Sequence, residues 1–141
     1  MTLNTYLFFD GHCAEAFEHY RRVFGGDFTA RMTYGESPEE AKVDAGEQGK
    51  IMHVSLPVGG SVLMGSDVAK GHGEPPRPSN AFAVSYSATS REDADAKFTA
   101  LQEGGGSAAM PMADTFWGAY FGMLKDRFGV HWMVSHDTSQ Q

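Results

Sequence analysis

The sequence predicts an α+β fold built from two copies of one β-α-β-β-β unit. The chain has 141 residues, 41% of them hydrophobic, which is enough to bury a core without disulfides. The same order of elements can be read twice along it, and a stretch rich in glycine and proline separates the two readings. We therefore expect a single domain over residues 1–137, followed by a tail at 138–141.

The first unit is predicted over residues 1–67. LNTYLFF (3–9) predicts a strand, and the apolar residues after it recur at helical spacing until Gly25-Gly26 ends the run. DFTARMTY (27–34) predicts a second strand, and residues 36–50 form a polar, breaker-rich segment that predicts an exposed loop. Residues 51–67 predict two strands that meet at Gly59-Gly60, a dipeptide suited to a tight hairpin.

The second unit repeats this order over residues 80–137, after a predicted connector at 68–79. NAFAVSYSA (80–88) predicts a strand, and Thr89 and Glu92 are placed as a capping box for the helix that follows. That helix carries an apolar stripe of Ala94, Phe98 and Leu101 and ends at the glycines 104–106. Three more strands are predicted at 107–113, 117–124 and 130–135, so the two units are architectural repeats.

Composition narrows the class of protein. The formal charge is −7 and no basic cluster is present, which argues against a nucleic-acid or an anionic-membrane partner. The first residues lack a basic region and are interrupted by Asp10 and Glu15, so no signal peptide is expected. No apolar run approaches the roughly 18 residues that span a bilayer. The single cysteine, Cys13, fits a reducing compartment, and we expect a soluble cytoplasmic protein.

Five stretches carry a resemblance to a known family: LNTYLFFDG, FEHYRRVFGG, IMHVSL, SVLMGSD and TFWGAYFGMLKDRFGVHWMV. Together with the repeated unit, they make the chain similar to the vicinal oxygen chelate superfamily. This superfamily includes glyoxalase I, bleomycin-resistance proteins and extradiol dioxygenases. The chain looks most like its PhnB-like branch, often labelled as a 3-demethylubiquinone-9 3-methyltransferase domain. The resemblance covers residues 3 to about 135, and the aromatic tail is its most specific part.

The resemblance implies a fold in which each unit curls into a half-barrel. The inner sheet face then lines a cup, the helices pack outside, and homodimers are usual. A methyltransferase is not expected, because a Rossmann domain for adenosylmethionine needs a glycine-rich turn after its first strand. Here the glycine cluster EGGGS follows a helix instead.

The resemblance also indicates where a metal would bind in metal-using relatives. Such an ion is held by the first and last strands of each unit, at positions that fall on Asn4 and Asn80 and on Met64 and Met133. Neutral amides and thioethers are poor ligands for hard divalent ions. We therefore expect that the protein holds no metal and no cofactor.

Alternation along strands predicts which side chains face the cup. If Met133 points inward, so does His131, whereas Trp132 and Val134 point outward. By the same rule Tyr6 and Phe8 share a face with Asn4, and His53 with Ser55. Residues 117–124 fit either register. The predicted lining is Asn4, Tyr6, His53, Ser55, Met64, Asn80, Trp117, Tyr120, His131 and Met133. Such a lining suits a flat or partly apolar small molecule.

Three functional hypotheses follow. The first is a metal-free binding protein whose cup is completed in a homodimer. The second is an enzyme of lyase, isomerase or dioxygenase type. It would use His53 as an acid or base, since imidazole titrates near neutrality, or a metal on His53, His131 and Asp67. The third is a structural domain that assembles through its sheet surface. His53 could instead be a half-buried, hydrogen-bonded side chain without a catalytic role. Cys13 lies in the first turn of the first helix, where a reactive thiolate is favoured, but its place on the apolar stripe also suits a residue that fills space in the core.

Overall fold

The computed structural model describes residues 1–38 and 43–139. It divides into two compact units, Met1–Arg77 and Pro78–Gln141, whose boundary lies inside the predicted connector. Each unit consists of one four-stranded mixed sheet and one α-helix, so the predicted α+β class and the repeated β-α-β-β-β order are confirmed. The predicted loop at 36–50 lies partly outside the described residues, and its described part contains a 3₁₀ turn at Ala45–Glu47.

Unit 1 contains β1 (Thr5–Phe9), α1 (Cys13–Phe24), β2 (Ala30–Thr33), β3 (Ile51–Val58) and β4 (Ser61–Asp67). The strand order is β1-β4-β3-β2. β1 pairs in parallel with β4, and the other pairs are antiparallel. The start of the connector belongs to this unit, because Ala69 is fully buried in a small cluster with Tyr34 and Val43.

A buried carboxylate joins the elements of unit 1. Asp67, at the end of β4, is 2% exposed. Its Oδ1 accepts hydrogen bonds from the backbone N–H groups of Gly11 (2.8 Å) and Cys13 (3.0 Å), and its Oδ2 accepts one from Ile51 (2.9 Å). Asp67 therefore fixes the turn before α1 and the start of β3, which is a structural role.

Unit 2 contains β5 (Val84–Ser87), α2 (Arg91–Leu101), β6 (Ser107–Asp114), β7 (Ala119–Lys125) and β8 (His131–Asp137). The order β5-β8-β7-β6 repeats that of unit 1, with β5 and β8 parallel. The strand predicted over 80–88 is shorter than expected and begins at Val84. Asn80 therefore lies before the strand and is exposed.

The N-cap of α2 lies one residue later than predicted, so the capping box predicted at Thr89 and Glu92 is wrong by one residue. Ser90 is the N-cap, and its hydroxyl accepts from the backbone N–H of Asp93 at 2.9 Å. The carboxylate of Asp93 accepts in turn from the N–H of Thr89 at 3.0 Å. Burial raises the pKa of Asp93, but hydrogen bonds from Lys97, Thr89 and Tyr86 outweigh that effect and lower it to about 2.

The aromatic tail is organised by a second buried carboxylate. Asp126, in the turn between β7 and β8, is 2% exposed. Its Oδ1 accepts from the N–H groups of Phe128 (2.9 Å) and Val130 (3.0 Å), and its Oδ2 accepts from the indole N–H of Trp132 (3.0 Å). The aspartate, phenylalanine, glycine and tryptophan of this stretch are therefore spaced so that their hydrogen bonds close the hairpin between β7 and β8.

Each sheet has one face covered by its helix and one open face. In unit 1 the covered face includes Leu7, Phe9 and Gly65, where an added Cβ would lie 2.6 Å from the ring of Phe17 on α1. In unit 2 it includes Trp132 and Val134, which are 2% and 0% exposed. The outward orientation predicted for these two residues of β8 is confirmed. Among the described residues, no helix is long and apolar enough to cross a membrane.

Candidate functional site

The candidate site is the open face of the unit 1 sheet. It is formed by strand residues whose side chains point away from α1. The strand register places Tyr6, Met64 and Ser55 side by side across β1, β4 and β3, and it places Met32 of β2 opposite His53. We call the group Tyr6, Phe8, Met32, His53, Ser55 and Met64 the unit 1 open face.

A chain of hydrogen bonds runs through the centre of this face. The Tyr6 hydroxyl lies 3.1 Å from Nδ1 of His53, and Nε2 of His53 lies 2.9 Å from Oγ of Ser55. A neutral imidazole has one N–H donor and one acceptor nitrogen, so the two bonds run in one direction along the chain. The half-buried His53 is thereby held in one orientation, with both ring nitrogens engaged.

Two aromatic rings and one methionine side chain of this face reach solvent. Tyr6 is 36% exposed, Phe8 60% and Met32 37%. The ring of Tyr6 stacks on the imidazole of His53, with centroids 5.7 Å apart, and it contacts the ring of Phe8 at 5.1 Å. The unit 1 open face therefore combines exposed apolar surface with fixed hydrogen-bonding groups, which is the usual composition of small-molecule sites.

The open face of unit 2 has a different chemistry at the repeated positions. Met133 and Ser135 take the places of Met64 and Ser66, and Ser85, the neighbour of Met133, takes the place of Tyr6. On the central strand, Phe121 and Met123 stand where unit 1 has His53 and Ser55. His131 lies on the same face, opposite Lys125. The polar chain of unit 1 is not repeated at these positions of unit 2.

Four residues of the predicted lining lie elsewhere in their units. Asn4 precedes β1, where its amide oxygen accepts from the N–H of Val62 at 2.9 Å. Asn80 precedes β5, and Trp117 lies in the turn between β6 and β7, 56% exposed. Tyr120 lies on the covered side of unit 2, where its hydroxyl donates to Asp95 of α2 at 2.6 Å. The structure thus brings together Tyr6, His53, Ser55 and Met64.

Asn4 and Asn80 are therefore not the neighbours of the two last-strand methionines. Those neighbours are Tyr6 beside Met64 and Ser85 beside Met133. This donor set contains thioethers, a phenol and a hydroxyl, which does not fit a hard divalent ion. Within residues 1–38 and 43–139, no three His, Cys, Asp or Glu side chains lie close enough to hold a metal ion.

Asp67 and Cys13, the two other candidates from the sequence, are buried and have structural roles. Asp67, proposed above as an alternative metal ligand, points to the covered side and accepts three backbone hydrogen bonds. Cys13 is fully buried at the start of α1, and burial together with the nearby charge of Asp67 raises the pKa of its thiol. A protonated, buried thiol is unreactive, in agreement with a space-filling role.

Sequence reasoning placed Phe8 on the inner face but did not include it in the site, and it missed Met32. The signal for Phe8 was present, because it alternates with the buried Leu7 and Phe9. Met32 depends on the β2–β3 register, which shifts between Met32 and Thr33. That irregularity has no counterpart in the local sequence pattern.

Comparison with known proteins places the chain in a family. The profile of the Glyoxalase/Bleomycin resistance protein/Dioxygenase superfamily matches residues 2–134. Protein YjdN of Escherichia coli is 31% identical over 143 residues, which is 96% of this chain and 95% of that protein. The crystal structure of protein PA1353 from Pseudomonas aeruginosa superimposes with a TM-score of 0.85 at 41% identity, covering 97% of this chain and 98% of that one.

The chain belongs to the Glyoxalase/Bleomycin resistance protein/Dioxygenase superfamily. Its fold is also that of a Bacillus cereus PhnB protein described as a putative 3-demethylubiquinone-9 3-methyltransferase. That structure has a TM-score of 0.74 and 23% identity, and the match covers 96% of this chain and 99% of that one. The superfamily predicted from the sequence is confirmed by the match over residues 2–134.

Proposed function

We propose that the protein binds a small, partly apolar or aromatic molecule on the unit 1 open face, without a metal ion. The observation that carries the proposal is the Tyr6–His53–Ser55 hydrogen-bond chain bordered by exposed rings. A flat ligand would gain dispersion contacts with Tyr6 and Phe8, and the fixed polar groups would orient it. Burying the exposed ring surface also provides a favourable free energy, of about 25 cal/mol per Å².

The test begins with a thermal-shift screen of flat aromatic compounds. Uncharged probes such as 2-naphthol, quinoline and acridine suit a chain with a formal charge of −7, because they are not repelled as anions would be. A probe that binds the native state must raise its melting temperature. The proposal fails if none of the probes raises it.

Three variants then locate the binding surface by titration calorimetry. Phe8→Ser removes an exposed ring from the unit 1 open face and should weaken binding about two- to tenfold, since an aromatic contact contributes about 0.5–1.5 kcal/mol. Tyr6→Phe keeps the ring and removes only the hydroxyl that meets His53. Phe116→Ser is the matched control, because Phe116 is 97% exposed in unit 2. Equal losses in Phe8→Ser and Phe116→Ser would rule out this location.

The same hydrogen-bond chain supports a second candidate function, an enzyme of lyase, isomerase or dioxygenase type. The Tyr6 hydroxyl can donate its proton to Nδ1 of His53 while Nε2–H donates to Ser55, so His53 is placed to move a proton. The test incubates each compound found in the screen with the wild type and with His53→Gln, and follows it by NMR. Turnover that is lost in His53→Gln supports an enzyme, whereas the absence of turnover supports binding alone.

The proposal includes a homodimer and a cytoplasmic location, both expected from the sequence. A second chain packed over the unit 1 open face would cover the exposed Phe8 and Met32 and complete the cup around the bound molecule. Light scattering after gel filtration should give twice the mass of the chain, and a single-chain mass would refute the dimer. The unpaired Cys13 supports a reducing compartment.

A further inference from the structure

We propose that three methionines of unit 2 bind a soft monovalent metal ion, Cu(I) or Ag(I), on the open face of its sheet. Met110 on β6, Met123 on β7 and Met133 on β8 form one row across three neighbouring strands. Met123 is the direct register partner of both Met110 and Met133. We call these residues the methionine row.

The spacing of β-strands allows the three thioethers to reach one ion. Neighbouring strands lie about 4.8 Å apart, and opposite Cβ atoms about 4.5–5.5 Å apart. The thioether side chain has three rotatable bonds, so the two outer sulfur atoms can lean towards the central one. Met123 and Met133 leave the sheet on its open side, because their strand neighbours Leu124 and Trp132 are buried on the side of α2. Met110 shares that side because directly paired residues of an antiparallel ladder point to the same face.

The methionine row does not belong to the hydrophobic core. Met110 is 46% exposed, and Met123 and Met133 are half-buried. The register of β6 shifts on both sides of Met110, between Ala108 and Met110 and again between Met110 and Ala113. Such bulges reorient a side chain, and here they place Met110 opposite Met123.

The chemistry of the row selects soft ions. Thioether sulfur binds Cu(I) well and hard divalent ions poorly, and it carries no charge or proton that must be lost. Lys125 and His131 are also register partners on this face, two residues along their strands from Met123 and Met133. Lys125 is exposed, so water and salt screen its charge, and a monovalent cation is repelled less than a divalent one. The sequence predicted no metal, because the strand register that brings Met110 and Met123 beside Met133 cannot be read from it.

Unit 1 provides a matched control at the repeated position. Met64 corresponds to Met133, but its register neighbours are Tyr6 and Ser55. It is therefore a half-buried thioether on an equivalent strand without a second thioether directly beside it. The proposal predicts that Met64 takes no part in binding.

The experiment labels the methyl groups of the eight methionines with ¹³C and follows them by NMR. Ag(I) nitrate is added to the full chain in a chloride-free buffer. The signals of Met110, Met123 and Met133, assigned with single leucine variants, should shift together and saturate at one equivalent. Equal shifts of Met64, or no shift in the three signals, would overturn the proposal.

Affinity measurements add a second readout. Met123→Leu should weaken Ag(I) binding at least tenfold, because it removes the central thioether, whereas Met64→Leu should bind as the wild type does. Leucine has a similar volume to methionine, so both variants should keep the fold, which circular dichroism can check. Wild-type affinity in Met123→Leu would contradict the assigned site.

Discussion

The Asp126 carboxylate offers the most informative structural test, because it lies in the stretch on which the family resemblance is most specific. In Asp126→Asn the amide nitrogen replaces Oδ2 and faces the indole N–H of Trp132. Two hydrogen-bond donors then oppose each other in the buried interior, without an acceptor between them. A lost hydrogen bond to a charged acceptor costs about 1.5–3 kcal/mol, and the two bonds at Oδ1 also lose their charge assistance.

We therefore expect a loss of about 3 kcal/mol in the free energy of unfolding. For a chain of this length the melting temperature should fall by about 10 °C. Urea titration followed by tryptophan fluorescence reports on unit 2, which contains both tryptophans, Trp117 and Trp132. The control is Asp137→Asn, an exposed carboxylate that should change the stability by less than about 0.5 kcal/mol. A loss below about 1 kcal/mol in Asp126→Asn would refute the reasoning.

Three further predictions concern the helices. The fall in the pKa of Asp93 from 3.8 to about 2 stabilises the fold by about 2 kcal/mol above pH 4. This contribution is lost as the pH falls towards 2, so urea unfolding should separate Asp93→Asn from the wild type at pH 6 and much less at pH 2. Gly65→Ala should destabilise by about 1–3 kcal/mol because its methyl would overlap a ring of α1, whereas Gly60→Ala has open space and should not. Ser90→Ala should cost about 1 kcal/mol and Thr89→Ala less than half of that, and equal losses would contradict the assigned N-cap.

The sequence predicted the fold because hydrophobic periodicity and glycine stops repeat in the same order in both halves. It also predicted the two faces of β8, where the buried Trp132 and Val134 alternate with more polar residues. It could not orient Tyr120, since residues 117–124 are apolar on both sides. Its orientation depends on the β7–β8 register and on the carboxylate of Asp95 on α2.

The candidate site was only partly predictable for a similar reason. His53 and Ser55 were placed together by alternation along one strand. Their bond to Tyr6 joins residues 47 positions apart in the chain and depends on how three strands align. The error at Asn80 arose because its β-rich surroundings resemble a strand, although β5 begins only at Val84.

The most direct test of the proposed function is an NMR map of the strongest aromatic probe on the ¹⁵N-labelled protein. A probe bound on the unit 1 open face should shift the amide signals of Tyr6, His53 and Ser55 most, through ring currents and altered hydrogen bonds. Largest shifts at Phe116 and Trp117, or shifts spread evenly over the surface, would contradict the proposal.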